Sequence, residues 1–537
     1  MTDSRSGSSL ASPSGSPRLG DRRWNFLALA FVALGALQRL VQYASNRSLW
    51  GDEAALALNL RDRGWSELLW QTLDFNQAAP PGFLAIEKGA IALLGNSEYS
   101  LRLFPLMAGL ASLVGMYVLA RRLNRPLAGA IAVGLFACLR YTSYYATEVK
   151  QYSSDVAIAL VFFLWLTELR SPKLERSEAT WLALLGGLAV WFCHPVIFVM
   201  AGVELWHWIR VAWGAANPFR TIAGWIRSRF AVYFAWVASF GAMYVLTIRS
   251  TLENEALTDS WGDRYPDDWL DIGWFFDAIG RFFYRPLGFL GWTDGVAIAA
   301  FLVGAIALGR GGRRGTLALL LAPVAMTLLA SYLHAYPFRE RLVLFLAPFA
   351  LAIVAEGVAV TLVGIFRGAV WRRIVCAAFG LLFAGALVGW PVVKTVGRIA
   401  EPRQIEEIRP VLAQVRAGWE VGDRLYVYPP GRNQFLYYAP MFEFVPEDYA
   451  IGVAYLAPQG GNDLESDDIC AFVRELAEFT SDDRVWLLFS RASDREQQTL
   501  LDLLDPEGLK LDSAIEEGAF AYLFDLRGWQ IPDRCAP

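Results

Sequence analysis

Two adjacent carboxylates, Asp52 and Glu53, are the residues of this sequence best placed to do chemistry. They stand in the segment Trp50–Ala54, just after a long apolar run from about Trp24 to Tyr43. A run of this length can cross a bilayer, and the arginines before it predict that it starts in the cytoplasm. A carboxylate at the far membrane surface can take a proton from the hydroxyl of an incoming acceptor. The alternative is structural, because acidic residues also cap helix N-termini.

Composition places the chain among membrane proteins. Of its 537 residues, 55% are hydrophobic and 19% are charged, and the mean hydropathy is +0.34. Several apolar runs reach bilayer length, so we predict a mainly α-helical, multi-pass membrane protein. There is no basic tract suited to nucleic acid, and the three histidines are too scattered for metal-ligand spacing. We therefore predict no nucleic-acid partner and no metal site.

The apolar runs predict about eleven transmembrane helices. Their centres are near Leu34, Ser112, Ala132, Ala159, Leu188, Ala201, Ser239, Phe301, Thr327, Leu351 and Phe383. Arginines cluster at alternate ends of these runs, which predicts a cytoplasmic N-terminus, and an odd number of crossings places the C-terminus outside.

The chain divides into three predicted domains. Residues 1–22 are rich in Ser, Gly and Pro and predict a disordered cytoplasmic tail. Residues 23–398 form the transmembrane domain, and residues 399–537 form a small extracytoplasmic α/β domain. Its predicted strands are Leu425–Tyr428, Val485–Phe489 and Phe520–Phe524, and its predicted helices are Ile405–Val415, Ile469–Phe479 and Asp494–Leu504. Cys470 and Cys535 both fall there, so an oxidising compartment favours a disulfide between them.

Two outer loops are large. The first runs from about Asn46 to Glu98 and contains two amphipathic stretches, Ala54–Leu69 and Pro81–Leu94. Charges interrupt both, so we predict helices lying in the membrane interface. The second loop runs from about Ser250 to Asp294 and is rich in aromatic and acidic residues. These residues either anchor the protein at the interface or bind sugar.

Charged clusters recur on the predicted outer face. They are Asp52-Glu53, Gln77–Phe83 with Glu87-Lys88, Tyr144–Tyr152, and Tyr336–Arg341. This face also carries cations, of which the positive-inside rule expects few. Among them are Lys88, Arg102, Lys150, Arg339 and Arg341. A lipid phosphate is one natural partner for such cations, since Arg and Lys bind phosphate oxygens strongly. The alternative is pairing with Glu87, Glu148 and Glu340.

In order and sidedness, these clusters resemble the motifs of the GT-C class of polytopic membrane glycosyltransferases. The similarity is to the branch with protein O-mannosyltransferases, lipid A aminoarabinose transferases and rhizobial core-oligosaccharide transferases. The family's Asp-Glu pair corresponds to Trp50–Ala54, and its Pro-Pro segment corresponds to Ala79–Phe83. Its Arg-Leu entry into a span corresponds to Leu101–Pro105, and its Tyr-x-x-Glu-x-Arg-x-Tyr element corresponds to Tyr145–Tyr152. The resemblance covers about Trp24–Pro391.

The resemblance implies a hexosyl- or pentosyltransferase that moves a sugar from a polyprenyl-phosphate-linked donor to a lipid, glycan or protein acceptor. The reaction is expected at the extracytoplasmic face of the bacterial inner membrane. Asp52 is the expected general base, with Glu53 as its catalytic neighbour. The expected phosphate-binding residues are Lys88, Arg102, Lys150, Arg339 and Arg341, and the expected substrate contacts are Gln77, Glu148, Tyr152 and Tyr336. No cofactor is required; a divalent cation on Asp52 and Glu148 is the alternative.

Two positions depart from the family pattern. Ala78 and Ala79 precede the Pro pair where many relatives carry His or Lys, and Lys150 replaces the usual Arg.

Two other functions stay open. One is a transporter or flippase of a lipid-linked saccharide, although the charges cluster at one surface and no broken-helix repeat is evident. The other is a non-catalytic glycan-binding protein that acts through its C-terminal domain.

Overall fold

The computed structural model describes most of the chain. The described residues are 19–253, 264–364, 369–454, 456, 466–479, 484–504, 509–527, 529, 531 and 535. The predicted cytoplasmic tail up to residue 18 lies outside the described residues. Residues 254–263 of the predicted second outer loop also lie outside them.

Helices dominate the described residues. They are α1 (Leu19–Ala44), α2 (Gly51–Asp62), α3 (Trp65–Trp70), α4 (Pro81–Leu94), α5 (Glu98–Leu123), α6 (Pro126–Cys138), α7 (Arg140–Tyr144), α8 (Tyr152–Glu168), α9 (Arg176–Phe192), α10 (Val196–Ala212), α11 (Pro218–Ser228), α12 (Phe230–Met243), α13 (Arg249–Leu252), α14 (Ile272–Tyr284), α15 (Thr293–Arg310), α16 (Arg314–Tyr332), α17 (Ala347–Gly364), α18 (Val370–Phe383), α19 (Trp390–Ala400), α20 (Ile408–Ala417), α21 (Arg432–Tyr438), α22 (Ser466–Ala477) and α23 (Asp494–Leu504). Short 3₁₀ segments at Tyr145–Thr147 and Glu340–Leu346 precede α8 and α17.

The structure confirms the predicted fold class of a mainly α-helical chain with membrane-length helices. In the described ranges, seven helices are long and apolar enough to cross a membrane, or eight if the bent pair Pro126–Cys138 and Arg140–Thr147 is one span. Each of the eleven predicted centres lies within a helix. Three of those helices, α8, α9 and α10, have only 17 residues each. The number eleven stays a prediction.

Helix α17 lies at the centre of the transmembrane helices. Together with the 3₁₀ turn before it, this helix has 94% of its most apolar window buried. It packs closely on α15 because Gly304 and Gly357 face each other; a Cβ on either would overlap the backbone of the other helix. Small residues allow this close approach between membrane helices.

The first outer loop folds into three helices. The predicted stretch Pro81–Leu94 is α4, which begins where Pro81 fits the first helical position and ends at Gly95 with φ of 85°. The other stretch, Ala54–Leu69, becomes α2 and α3. Helix α2 packs against α4 and against α21 from the C-terminal region, so nine of its residues are buried.

The C-terminal region contains a five-stranded mixed sheet. Its strands are β1 (Arg424–Val427), β2 (Tyr449–Ile451), β3 (Val485–Ser490), β4 (Lys510–Glu516) and β5 (Ala519–Phe524), in the order β2-β1-β3-β5-β4. Parallel pairing joins β1 to β2 and β3, and antiparallel pairing joins β5 to β3 and β4. The three predicted strands are confirmed as β1, β3 and β5. A disulfide joins Cys470 and Cys535, as the sequence favoured. The domain boundaries stay predictions.

Candidate active site

Several distant segments enclose a cavity of about 230 Å³ that contains Asp52. Asp52 comes from the first turn of α2, and residues 76–80 come from the turn before α4. The wall is completed by the start of α8, by the turn between α16 and α17, and by residues within 194–195, 247–252 and 264–265. Of the predicted site residues, the cavity brings together Asp52, Gln77, Lys150, Tyr152, Tyr336, Arg339 and Arg341.

Asp52 is held by two cations and an amide. Arg341 Nη1 lies 2.6 Å from Asp52 Oδ2, and Lys150 Nζ lies 3.6 Å from Oδ1. Gln77 Nε2 donates a hydrogen bond of 3.2 Å to the same Oδ1. The side chain keeps 19% of its surface exposed. The carboxylate is therefore paired with charge yet still faces open space.

These partners set the ionisation of Asp52. Burial alone raises the pKa of this carboxyl, but the charges of Lys150 and Arg341 and the bond from Gln77 outweigh burial. Together they hold the pKa of Asp52 well below its usual value. Asp52 is thus ionised, and it is a weak base while both cations remain against it.

The cations are themselves held in place. The guanidinium of Arg341 lies over the ring of Tyr152, with its carbon 5.5 Å from the centroid. Lys150 Nζ donates to Gln77 Oε1. Arg339 lies 3.6 Å from Asp277, and Tyr336 donates its hydroxyl proton to the Leu342 carbonyl at 2.8 Å. The turn after α16 therefore presents a fixed pair of arginines to the cavity.

Glu53 lies in a different environment. It is fully buried and accepts from Arg47 Nη1 at 2.8 Å, from Arg102 Nη2 at 2.7 Å and from Arg102 Nε at 3.0 Å. The backbone N–H of Val149 adds a further bond of 2.9 Å. Both carboxylate oxygens are thus occupied, and the guanidinium of Arg102 is directed to Glu53 and to backbone carbonyls rather than into the cavity.

Glu148 and Lys88 also lie outside the cavity wall. Glu148 is fully buried and accepts from the indole N–H of Trp50 at 3.0 Å. Burial, and then the charge of Glu53, raise the pKa of Glu148 to about 7. Lys88 Nζ donates to the carbonyls of Leu60 at 2.7 Å and Arg63 at 2.8 Å. It thus caps the C-terminal end of α2.

The C-terminal region holds the backbone that leads into Asp52, a role that the sequence did not reveal. Glu406 accepts from the N–H of Gly51 at 2.8 Å. The hydroxyl of Tyr438 accepts from the N–H of Leu49 at 2.8 Å and donates to Glu98 at 2.8 Å. These contacts link residues far apart in sequence, and no local motif signals them.

Two polar groups of the cavity wall were missed by the sequence analysis. Asp155 follows Tyr152 by one helical turn, and His194 stands at the break before α10. Asp155 Oδ1 and His194 Nε2 are both buried without a hydrogen-bond partner among the described residues. An acid inside an apolar span and a histidine beside a span-breaking proline were the available signals. Arg264 also lines the cavity.

In the part of the chain that the structure describes, no group of three or more His, Cys, Asp or Glu side chains is arranged to hold a metal ion. Asp52 and Glu148, the predicted alternative pair for a cation, bind different partners: Asp52 faces Arg341 and Lys150, and Glu148 faces Trp50.

Comparison with known proteins gives similarities to solved structures only. No protein-family model and no curated protein matches the sequence. Crystal structures of ArnT from Cupriavidus metallidurans, in the apo state and bound to undecaprenyl phosphate, align with a TM-score of 0.49 at 14% identity. The apo alignment covers 95% of this chain and 100% of ArnT, and the bound alignment covers 94% and 99%.

A second kind of structure aligns over a similar share of this chain. The archaeal oligosaccharyltransferase AglB from Archaeoglobus fulgidus, in complex with an inhibitory peptide and a dolichol-phosphate, aligns with a TM-score of 0.45 at 13% identity. This alignment covers 96% of this chain and 76% of AglB. ArnT and AglB are both GT-C glycosyltransferases, the class that the sequence motifs resemble.

Proposed function

We propose that this chain is a membrane glycosyltransferase that moves one sugar from a polyprenyl-phosphate-linked donor to an acceptor at the extracytoplasmic face. The observation that carries the proposal is the Asp52 cavity. It combines an ionised carboxylate with cations from two distant segments, Lys150 and Arg341, and Arg339 lines the same wall. A carboxylate beside a phosphate-binding cluster is what transfer from a sugar phosphate requires.

The donor phosphate binds Lys150, Arg339 and Arg341 in this proposal. A phosphate offers more acceptor oxygens and more negative charge than the carboxylate that now contacts two of these cations. Donor binding therefore draws Arg341 and Lys150 away from Asp52. Because these two charges hold the pKa of Asp52 down, their neutralisation by the phosphate raises that pKa and makes Asp52 a better base.

The reaction is a direct displacement at the anomeric carbon. The acceptor hydroxyl forms the new C–O bond while its proton passes to Asp52. The bond between the anomeric carbon and the phosphate oxygen breaks, and its electron pair stays on the departing polyprenyl phosphate. Arg341, Arg339 and Lys150 stabilise the charge that develops there. Glu53 positions rather than reacts, because Arg47 and Arg102 occupy both of its oxygens.

Cavity size supports transfer of a single hexose or pentose. A volume of about 230 Å³ is below the roughly 300–1,000 Å³ typical of pockets for drug-sized ligands. A single sugar ring suits this space better than an oligosaccharide does. The unpartnered atoms Asp155 Oδ1 and His194 Nε2 give hydrogen-bonding positions for hydroxyl groups of that sugar.

The test uses membranes from cells that lack the chain, supplemented with purified protein. A panel of short-chain polyprenyl-phosphate monosaccharides carries the label in the sugar. We expect one donor to give a labelled lipid, glycan or protein that is absent with Asp52→Asn. Label that crosses sealed vesicles without covalent transfer, equally in wild type and Asp52→Asn, would identify a transporter instead and overturn the proposal.

The cellular placement is part of the proposal. We place the chain in a bacterial inner membrane with its N-terminus in the cytoplasm and its C-terminal sheet outside, following the arginine distribution. A reporter enzyme that is active only outside the cytoplasm, fused after Pro537, should be active. Activity only of a cytoplasmic reporter at the same position would place the Asp52 cavity on the wrong face for an extracytoplasmic reaction.

A further inference from the structure

A second, larger cavity lies on another side of the same helices. It has a volume of about 1110 Å³ and is lined by Arg140, Lys394, Arg398 and Arg403, and we call it the basic cavity. Its wall comes from the ends of α1 and α6, the start of α15, and α19 with the segment after it. These elements end candidate spans, so the basic cavity opens at the depth where lipid headgroups lie.

The four cations of the basic cavity contact aromatic rings and a hydroxyl group. Within the described ranges, none of them forms an ion pair with an acidic side chain. Arg140, Lys394 and Arg403 lie over the rings of Tyr141, Trp390 and Tyr144, with centroid distances of 5.5, 4.8 and 5.0 Å. Arg398 donates to the hydroxyl of Ser143 at 3.4 Å. Positive charge gathered in this way is costly until an anion binds.

The acidic side chains at the basic cavity are more exposed to solvent than its arginines are. Glu401 and Glu517 line the basic cavity, but both are exposed to solvent, whereas the three arginines are half-buried. Burial, and then the charge of Arg140, lower the pKa of Arg403 below its usual value. The arginines thus repel one another in a partly dry space.

The backbone fixes one of these cations in place. The side-chain amide of Gln42 donates to the carbonyl of Arg403 at 2.9 Å and accepts from its N–H at 3.0 Å. The backbone of Arg403 is therefore already fixed at the cavity wall, so binding an anion there does not incur the entropy cost of ordering it.

Three tyrosine rings in contact connect the wall of the basic cavity to the wall of the Asp52 cavity. Tyr144 lines the basic cavity and Tyr152 lines the Asp52 cavity. Tyr145 lies between them, with its ring centroid 5.1 Å from that of Tyr144 and 5.1 Å from that of Tyr152. A molecule held in the basic cavity is thus two ring contacts away from the wall of the proposed reaction centre.

We propose that the basic cavity binds a phosphate group carried by the acceptor. This inference rests on the proposed function, because it takes the Asp52 cavity as the place of the donor. The planar guanidinium group of arginine matches the geometry of a phosphate, and several such groups together suit a doubly charged phosphate. The cavity is also several times larger than the Asp52 cavity, which suits an acceptor larger than one sugar.

The experiment measures phosphate binding by calorimetry on the purified full chain in nanodiscs of neutral phosphatidylcholine. A short-chain polyprenyl phosphate first saturates the Asp52 cavity. Short-chain phosphatidic acid and inorganic phosphate are then titrated separately. The variants are Arg398→Gln with Arg403→Gln, and Lys394→Gln, whose exposed side chain contributes little to folding. The matched control is Arg432→Gln, an exposed arginine on α21.

We expect the double variant to weaken phosphatidic acid binding by at least about tenfold, Lys394→Gln to weaken it less, and the control to leave it unchanged. Binding of phosphatidic acid alone assigns a lipid-borne phosphate; binding of inorganic phosphate as well assigns the phosphate group itself. Equal binding in wild type and double variant would overturn the proposal. So would loss of polyprenyl phosphate binding in the double variant, because the cavity would then belong to the donor. If the purified protein binds phosphate in the basic cavity but transfers no sugar, the proposed function is contradicted and the phosphate site is still supported.

Discussion

Asp52 and Glu53 are neighbours with the same chemistry, yet they lie in opposite environments. Asp52 faces a cavity and contacts two cations, Arg341 and Lys150, that line the same cavity. Glu53 is fully buried and its oxygens are saturated by Arg47, Arg102 and a backbone N–H. Successive residues on a helix project about 100° apart, so one step along α2 separates the two. In the proposed function, exchangeable partners leave Asp52 free to react, while fixed partners give Glu53 a structural role.

The largest expected effect comes from the buried member of the pair. Glu53→Gln keeps the shape of the side chain but leaves Arg47 and Arg102 without their counter-charge. Removing one partner of a buried ion pair costs about 3–5 kcal/mol. We expect a marked fall in the melting temperature of the detergent-purified protein. We also expect the folded fraction to retain more transfer activity than Asp52→Asn does. An unchanged melting temperature would remove the structural assignment of Glu53.

The next effect concerns the exchangeable partners of Asp52. In the proposed function, losing Arg341 removes a charged contact to the donor phosphate, which costs about 2–5 kcal/mol. We expect Arg341→Ala to weaken the affinity for a short-chain polyprenyl-phosphate sugar by well over tenfold, and Arg341→Lys to retain part of it. The matched control is Lys88→Ala, because Lys88 caps α2 and does not line the cavity. Equal affinity in wild type and Arg341→Ala would place the donor phosphate elsewhere.

A smaller effect is expected from the C-terminal contacts that hold the Asp52 backbone. Tyr438→Phe leaves the buried N–H of Leu49 without its acceptor, at a cost of about 1–3 kcal/mol. We expect the turnover number to fall while donor affinity stays near that of wild type, since the phosphate contacts are untouched. The neighbouring substitution Tyr437→Phe, which removes a bond to Asn96 instead, is the comparison. A pure loss of donor affinity would contradict a positioning role.

The smallest expected effect depends on pH. Burial, and then Glu53, raise the pKa of Glu148 to about 7, from an unperturbed value of 4.5. Between these values the folded protein binds a proton that the unfolded chain has released, so Glu148 makes stability fall as pH rises through this window. Above the folded-state pKa of about 7, this contribution of Glu148 to stability is lost completely. We therefore expect Glu148→Gln to raise the melting temperature relative to wild type more at pH 8 than at pH 5. An equal change at both pH values would exclude this titration.

Much of the helical architecture was accessible from the sequence because apolar length and proline position are local signals. Helix α4 begins and ends where Pro81–Leu94 was predicted. Strands β2 and β4 were missed for local reasons as well. Strand β2 has three half-buried residues, and β4 is an edge strand whose side chains are exposed apart from Ala514. Neither has the apolar pattern of a core strand.

The site was accessible only in part. The predicted topology places Lys150 and Arg341 at the same membrane surface as Asp52, and the structure brings all three side chains into contact. The predicted topology gives the membrane surface at which a side chain lies but not the direction in which it points. It therefore did not distinguish these cations from Lys88, which contacts the end of α2, or from Arg102, which contacts Glu53. The contacts from the C-terminal region depend on long-range packing, which a single sequence does not encode in any local pattern.

In the proposed function, Asp52 takes the acceptor proton while the neighbouring cations hold the donor. The most direct measurement compares wild type with Asp52→Asn for both donor binding and sugar transfer under the same conditions. Asn keeps the size of the side chain but cannot accept the proton, and general-base catalysis contributes about 10²–10⁴-fold to rate. We predict that transfer falls by at least the lower of these factors while donor affinity is retained or improved, because Arg341 and Lys150 lose their competing carboxylate. Transfer at the wild-type rate in Asp52→Asn would contradict the account.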